Sequence, residues 1–335
     1  MFSVKRLDDI SILRVLCILV VVFFHCYGMM YANHFPETVS VYESLYFIPN
    51  QCIFINIAMP MFVFVSGYLF EYLLFRGKYP TWGNLLQKKG IRILLPYFVF
   101  GLFFMATTSN WHPLQLLNGG YWHLWFLPML FWSFILEYSV YKLKLKVYGE
   151  IALLLICLAF VPKNISICSE WFYWFYCGAL ICKYKDFLFG TESNHNRDIF
   201  YLFILLISIV FLVFFPVYYG YDISTWYSKL KLTGCIISIF YFMNRIDWSK
   251  YKMTEPIVKF SAYSFGIYIW HNWVALMLIS NTSKSLFGLP ELAANHVILF
   301  PLCFSLITLA ISWGLSWAMM KTWVGRFLIG ETVFV

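Results

Sequence analysis

Charged residues are scarce in this sequence: Asp, Glu, Lys and Arg make up 12% of its 335 residues. Soluble domains carry about 25%. Hydrophobic residues reach 61%, and the mean hydropathy is +0.73. Because the deficit of charge extends along the whole chain, we predict an integral membrane protein rather than a soluble enzyme with one anchor. The aromatic content of 22% fits this class, since Trp and Tyr favour both membrane interfaces.

Several motifs of other protein classes are missing from the sequence. It contains no Cys-x-x-Cys pair, no Gly-rich phosphate loop and no evident internal repeat. The nine cysteines lie mostly in apolar segments, which is typical of small packing residues, so we expect no disulfide and no metal site. The net charge of +8 does not indicate nucleic-acid binding, because the basic residues lie between apolar runs rather than in one patch.

Ten segments are long and apolar enough to cross a hydrocarbon layer of ~30 Å, which takes about 20 residues. We predict transmembrane helices at 10–30, 52–74, 90–108, 122–141, 148–163, 169–183, 199–219, 229–244, 257–280 and 296–320. The first is predicted to be a retained span, because Arg14 and His25 interrupt it and no small-x-small cleavage site follows. The fold class is therefore an all-α polytopic membrane protein, with a single transmembrane domain over 1–335.

The basic residues predict the orientation of these spans. If the N-terminus is cytoplasmic, twenty basic residues fall on the inner side, and the outer side receives four: Lys163, Lys229, Lys231 and Lys284. This segregation follows the positive-inside rule. About ten transmembrane helices with both termini cytoplasmic is therefore the predicted topology.

Arg14 and His25 lie on one face of the first predicted helix. They are eleven residues apart, close to three turns, and therefore about 16 Å apart along the helix axis. Ionisable groups at bilayer depth usually mark a site or a pathway. His25 falls in the outer half of this span and can accept a proton near neutral pH. A histidine bonded to a neighbouring helix is the structural alternative.

A basic cluster opens the third span. Lys88 and Arg92 are four residues apart and share a predicted helix face, with Lys89 beside them. Positive-inside anchoring explains such a cluster. A cradle for a phosphorylated cytoplasmic ligand is the functional alternative, since Arg and Lys are the usual phosphate partners.

Aromatic and histidine residues mark the predicted outer ends of two spans. His123 and Trp125, in the run Tyr121 to Pro128, form either an interfacial belt or a stacking platform for a sugar. His271 reaches the outer half of the ninth span and is either structural or a polar contact.

Two further features lie deep in predicted spans. Ser66-Gly67-Tyr68 predicts a close helix contact, because Gly lets backbones approach. Glu71 and Glu137 are ionisable groups at depth that could pair with Arg14 or Arg92.

These pieces resemble the membrane acyltransferase 3 family, bacterial enzymes that acylate surface glycans and lipids. The matching pieces are Leu13-Arg14 with His25, Met61 to Tyr68, Arg92 to Tyr97, His123-Leu-Trp125-Phe126-Leu, and Phe265 to His271. Each motif alone is weak, but five in the family's order with ten spans are specific. The length and the His-Leu-Trp-Phe piece look like the branch that contains the enterobacterial-common-antigen O-acetyltransferase.

The resemblance implies an O-acyltransferase of the bacterial cytoplasmic (inner) membrane. It would move an acetyl or other acyl group from cytoplasmic acyl-CoA to a hydroxyl of a cell-surface polysaccharide or lipid-linked sugar. Acetyl-CoA would be a co-substrate, with no permanently bound cofactor. His25 matches the family's essential histidine, and Arg14 the arginine before it. Arg92 matches the second arginine of the family's Arg-x-x-x-Arg element. The first position of this element is Lys88 here, and a lysine keeps the positive charge but cannot bind phosphate in the bidentate way of an arginine.

We therefore expect His25 to be the catalytic base or a transient acyl carrier. The expected acyl-CoA-binding residues are Arg14, Lys88, Lys89 and Arg92, and the expected acceptor contacts are His123, Trp125 and His271. The alternatives are a transporter or flippase of a lipid-linked glycan without acyl transfer, and a non-enzymatic partner in a polysaccharide-synthesis complex. The expected partners are acyl-CoA, the glycan acceptor and the lipid bilayer, with homo-oligomers possible and nucleic acid excluded.

Overall fold

A computed structural model describes residues 7–31, 55–108, 111–118, 120–159, 168–190, 194–214, 226–282, 292–293 and 295–329. All regular structure in these ranges is helical, which confirms the all-α class. The chain divides into two compact units. Unit 1 contains the described residues of Met1–Ala58 and Asp247–Val335, and Unit 2 those of Met59–Ile246. A single domain over 1–335 stays a prediction.

The described residues contain the following α-helices. In chain order they are α1 (Asp8–Tyr31), α2 (Ile55–Phe75), α3 (Trp82–Lys89), α4 (Leu95–Thr107), α5 (Phe126–Leu143), α6 (Val147–Ala159), α7 (Cys168–Lys183), α8 (Lys185–Phe189), α9 (His195–Phe214), α10 (Trp226–Arg245), α11 (Thr254–Ser261), α12 (Ser264–Thr282), α13 (Leu299–Met320) and α14 (Trp323–Ile329). A π-helical segment, Gly90–Leu94, joins α3 to α4. Short 3-10 helices cover Pro113–Asn118, Trp122–Trp125 and Trp248–Lys250.

Each of the ten predicted spans overlaps at least one of these helices. Among the described residues, six stretches are long and apolar enough to cross a membrane: Asp8–Gly28, Ile57–Phe75, Trp82–Thr107, Pro113–Leu143, His195–Leu212 and Leu299–Met320. Two shorter helical stretches, Val147–Ala159 and Ser264–Ile279, are also apolar. The chain is therefore a multi-pass membrane protein. The count of ten spans and the orientation of the termini stay predictions.

The structure corrects one detail of the predicted spans. The span 257–280 is not one helix, because a turn at Ala262 and Tyr263 separates α11 from α12. The α11 helix is polar on one side, where Glu255 and Lys259 form an exposed ion pair at 3.5 Å. Lys229, the first residue of the predicted span 229–244, is fully buried in α10, where its Nζ donates to the carbonyl of Cys157 at 2.9 Å.

Unit 1 is built around α1, which packs against α11, α12 and α13. Small side chains permit this close packing, as they commonly do between membrane helices. A Cβ added to Gly266 of α12 would lie 2.5 Å from the Oγ of Ser316. Buried hydroxyls line α13 at spacings of three and four residues: Ser305, Thr308, Ser312 and Ser316. The hydroxyls of Ser312 and Ser316 each donate to the carbonyl one turn earlier at 2.7 Å.

In Unit 2, α2 and α7 meet backbone to backbone. A Cβ added to Gly67 of α2 would lie 1.9 Å from the carbonyl oxygen of Phe175. A Cβ on Gly178 of α7 would lie equally close, 1.9 Å, to the carbonyl oxygen of Phe64. The close contact predicted from Ser66-Gly67-Tyr68 is confirmed. This contact positions α7 beside α5 and α6, against which α7 also packs.

Candidate active site

His25 of α1 lies against His271 of α12, within Unit 1. Their ring centroids are 5.0 Å apart, and the ring planes are inclined by 54°. His271 is fully buried and His25 is half-buried. The sequence indicated both residues, but for different roles and in the first and ninth predicted spans. The structure brings them together as one histidine pair.

The backbone of α12 fixes the ring of His271. Its Nδ1 lies 2.7 Å from the carbonyl oxygen of Tyr268 and 3.2 Å from that of Ile267. A carbonyl oxygen only accepts hydrogen bonds, so Nδ1 carries a hydrogen and donates it. In the neutral imidazole Nε2 is then the acceptor nitrogen. His271 is therefore a rigidly held ring with a defined tautomer beside His25.

Arg14 lies on the same helix as His25. Since α1 is continuous from Asp8 to Tyr31, the eleven-residue spacing places the two residues on one face, about 16 Å apart along the axis. Arg14 is half-buried. The predicted shared face thus follows directly from the observed helix.

Four basic residues lie in or near α3 in Unit 2. We call them the basic group: Lys78, Lys88, Lys89 and Arg92. The Nζ of Lys88 donates to the carbonyl of Lys78 at 3.3 Å. Burial lowers the pKa of Lys78 from its ordinary value, and the positive charges of Arg92 and Lys88 lower it further. An anion bound here would relieve this repulsion. Sequence reasoning counted Lys78 only among the basic residues of the inner side, because it lies in the loop before α3 rather than in the helix pattern.

Lys89 differs from the other members of the basic group. Its Nζ lies 3.4 Å from the ring centroid of Phe134, 5.2 Å from that of Phe70 and 5.3 Å from that of Tyr79. These are cation–π distances. Lys88 and Arg92 are exposed, whereas Lys89 is half-buried. Lys89 therefore turns toward aromatic rings while its neighbours remain accessible to a ligand.

The backbone between Lys88 and Arg92 is not the regular α-helix that the sequence predicts. The N–H of Leu95 donates to the carbonyl of Gly90, five residues earlier. Such π-helical segments are rare and often occur at functional sites. The four-residue spacing therefore does not by itself place Lys88 and Arg92 on one helix face, but the charges of both residues act on Lys78.

Indole rings form a row in Unit 2 that continues from the predicted aromatic motif. The ring centroids of Trp125 and Trp171 are 5.1 Å apart, and those of Trp171 and Trp174 are 5.3 Å apart. We call these three residues the tryptophan row. Sequence reasoning named only Trp125. The three-residue spacing of Trp171 and Trp174 on α7 is the signal that would have found them, since it places both on one helix face.

His123 lies near this row in sequence but is turned inward. It is buried, and its ring centroid lies 6.0 Å from that of Phe104. The preceding residue, Trp122, has a left-handed φ of 46°, which is rare for a bulky side chain. The chain therefore makes a strained turn immediately before His123, and strain of this kind is found disproportionately at functional sites.

Residues 7–317 match the family described as the acyltransferase domain, acyltransferase 3. The chain belongs to the membrane acyltransferase 3 family. The match to this family covers most of both units and includes all five motifs from which the resemblance was inferred. The resemblance is thereby confirmed, and the chain is a membrane protein of an acyltransferase family.

Similar proteins of this length occur in Staphylococcus aureus. The probable poly-beta-1,6-N-acetyl-D-glucosamine export proteins of strains MSSA476, MW2 and N315 are 21% identical to this chain over 366 aligned residues. Each alignment covers 97% of this chain and 96% of the relative. No solved structure matches the chain.

Proposed function

We propose that this protein is an O-acyltransferase of the bacterial cytoplasmic membrane. It moves an acyl group, which we take to be acetyl, from cytoplasmic acyl-CoA to a hydroxyl of a cell-surface polysaccharide or lipid-linked sugar. Family membership supports acyl transfer, and the similarity to probable poly-beta-1,6-N-acetyl-D-glucosamine export proteins supports a polysaccharide as the acceptor class. The observation that carries the proposal is the contact between His25 and His271, whose rings are 5.0 Å apart.

In the proposed reaction His25 is the general base. It takes the proton of the acceptor hydroxyl while that oxygen attacks the thioester carbonyl. The new carbon–oxygen bond forms, the carbon–sulfur bond breaks, and the proton on His25 passes to the departing sulfur to give free CoA thiol. A transient acyl group on His25 is the alternative route.

His271 is a positioning residue in this mechanism. The carbonyl of Tyr268 holds its Nδ1, so neutral His271 keeps its Nε2 as a hydrogen-bond acceptor. A fixed acceptor beside His25 orients that imidazole and stabilises its positive charge after proton transfer.

The basic group of Unit 2 is assigned to the phosphates of acyl-CoA. Lys88 and Arg92 are exposed and carry the charge that phosphate prefers. Lys78 adds a third cation, whose pKa is lowered by burial and further by the charges of Arg92 and Lys88. Lys89, whose Nζ lies against aromatic rings, adds positive charge to the basic group. Arg14 supplies positive charge on the helix that carries His25.

The acceptor sugar is assigned to the aromatic residues of Unit 2. Sugar rings stack on indole faces, and Trp125 is the half-buried member of the tryptophan row that would offer one. Trp171 and Trp174 are buried and would support the ring of Trp125. His123 would supply a polar contact.

The experiment uses purified protein, acetyl-CoA and an oligosaccharide acceptor. We expect free thiol to be released only when the acceptor is present, and mass spectrometry to find the acetyl group on the acceptor. No thiol release with any polysaccharide acceptor, in protein that is folded and monodisperse, would contradict the proposal.

Polysaccharide export without acyl transfer is a second candidate, because the relatives carry the name of an export protein. It predicts movement of a labelled glycan across vesicles that does not depend on acyl-CoA. It also predicts normal transport by a His25→Ala protein, whereas the acyltransferase requires His25.

A further inference from the structure

A cavity of about 280 Å³ lies within Unit 2. Three glutamates line it: Glu71 of α2, Glu137 of α5 and Glu150 of α6. They are 4%, 3% and 6% exposed, respectively. The sequence suggested that Glu71 or Glu137 pairs with Arg14 or Arg92. The basic residues that line the cavity are instead Lys183 and Lys144.

Glu150 is neutralised by its own partners. The Nζ of Lys183 donates to its Oε1, and the hydroxyl of Tyr184 donates to its Oε2. The charge of Lys183 is therefore committed to Glu150. Lys144 is exposed at the α5 end of the cavity.

Glu71 and Glu137 do not have comparable partners. The Oε2 atom of each is buried and accepts no hydrogen bond from any described residue. A buried acceptor without a donor costs about 1–3 kcal/mol, and a charged one costs more. Two such oxygens at one cavity indicate that the donors come from a bound molecule.

We propose that this cavity binds a small organic cation that carries one or two primary amino groups. An ammonium group supplies positive charge and three donors, which is what the two carboxylates lack. The aliphatic part of such a molecule matches apolar lining residues such as Phe75, Val140 and Leu180. Pockets for drug-sized ligands span about 300–1,000 Å³, so this cavity of about 280 Å³ suits a smaller molecule.

A metal ion is the less suitable occupant. The described residues contain no group of three or more His, Cys, Asp or Glu side chains arranged to hold a metal ion. A flexible diamine does not require its carboxylate partners to converge on one point, because each nitrogen can reach a different carboxylate.

The test measures binding of 1,4-diaminobutane to the purified full-length protein by isothermal titration calorimetry at constant ionic strength. We expect saturable binding at one site that Mg²⁺ does not displace. Glu71→Gln and Glu137→Gln should each weaken it by ~10- to 100-fold, since each removes one charge-assisted hydrogen bond. The matched control is Glu255→Gln, an exposed acid of Unit 1, which should bind the diamine as the unmodified protein does.

A second measurement needs no variant and remains valid if the glutamine variants fail to fold. A carbodiimide activates a carboxyl group, a bound amine displaces it to form an amide, and the carbodiimide leaves as a urea. At diamine concentrations that leave Glu255 unmodified, we expect coupling at Glu71 or Glu137, located by peptide mass spectrometry. The inference would be overturned if coupling occurred only at exposed acids, or if the calorimetry showed no saturable binding. It would also be overturned if Mg²⁺ displaced the diamine, or if both glutamine variants kept the affinity of the unmodified protein. None of these results depends on whether the protein transfers acyl groups.

Discussion

Units 1 and 2 differ in whether they bury charged side chains. Among the described residues, both units bury hydroxyls and one histidine, but Unit 2 also buries three glutamates and Lys229. Hydroxyls bond within their own helix, as Ser312 and Ser316 do, while a buried charge needs a partner from elsewhere. Unit 1 is therefore suited to a proton transfer free of competing buried carboxylates, and Unit 2 to charged ligands.

The contact between α2 and α7 of Unit 2 and the contact of α12 in Unit 1 also differ in what the glycine meets. In Unit 2, Gly67 meets the backbone carbonyl of Phe175, which cannot rotate away. In Unit 1, Gly266 meets the side chains of Ser316 and Ile329. Side chains adjust more readily than backbone, so the contact in Unit 2 should tolerate less change.

The largest expected effect comes from adding one methyl group to the Unit 2 contact. Gly67→Ala places Cβ where the carbonyl oxygen of Phe175 is 1.9 Å away, and overpacking of this severity costs about 3 kcal/mol. Thermal unfolding of purified protein measures the loss. Gly266→Ala should cost less, and Gly83→Ala, which meets nothing within 4 Å, is the control. Equal stability of all three variants would remove the contrast between these two contacts.

A smaller effect is expected when a partly buried ion pair is broken. Lys183→Met leaves Glu150 buried without its ammonium partner and should cost about 1–3 kcal/mol. Lys250→Met breaks the ion pair with Asp247. The side chain of Lys250 is 75% exposed and that of Asp247 is 56% exposed, so the substitution should cost below about 1 kcal/mol. Thermal unfolding of both variants gives the comparison. If Lys250→Met destabilises the protein as much as Lys183→Met does, burial does not determine how much these ion pairs contribute to stability.

The next effect concerns the histidine pair of Unit 1. His271→Asn keeps a donor for the carbonyl of Tyr268 but removes the acceptor at Nε2. We expect kcat to fall about tenfold, less than the ~100- to 10,000-fold cost of losing a general base, with the KM for acyl-CoA unchanged and the pH profile of kcat displaced. An unchanged profile together with an unchanged kcat would show that His271 does not position His25.

The smallest effect is expected in the basic group of Unit 2. Lys88→Arg introduces a planar guanidinium, which can donate two hydrogen bonds to one phosphate group. The KM for acyl-CoA should therefore fall severalfold while kcat is unchanged. Arg92→Ala should raise the same KM. Steady-state kinetics at varied acyl-CoA concentration measures both. A change in kcat alone would show that these residues do not bind the donor.

Hydropathy predicted a helix in each of the ten segments, because burial in lipid requires long apolar runs. Local pattern also predicted the contact of Gly67. It did not predict the turn at Ala262, since a short polar helix precedes an apolar one there without a proline between them. Nor did it predict the π-helical backbone at Arg92, which depends on packing rather than on residue type.

The candidate site shows the same division between local and long-range information. The shared face of Arg14 and His25 follows from helical periodicity, so the sequence was sufficient. The contact of His25 with His271 joins helices far apart in the chain, and no spacing encodes it. The cavity of Glu71 and Glu137 was missed for the same reason, because three helices contribute its carboxylates.

Acylation by a His25→Gln protein tests the proposed mechanism most directly. The variant and the unmodified protein are purified in equal amounts, and thiol release from acetyl-CoA is followed with the acceptor present. Leu19→Ala, an exposed position on the same helix, is the control. We predict that His25→Gln loses ~100- to 10,000-fold in rate while Leu19→Ala keeps its activity. Wild-type rates in folded His25→Gln protein would contradict the assignment of His25 as the base.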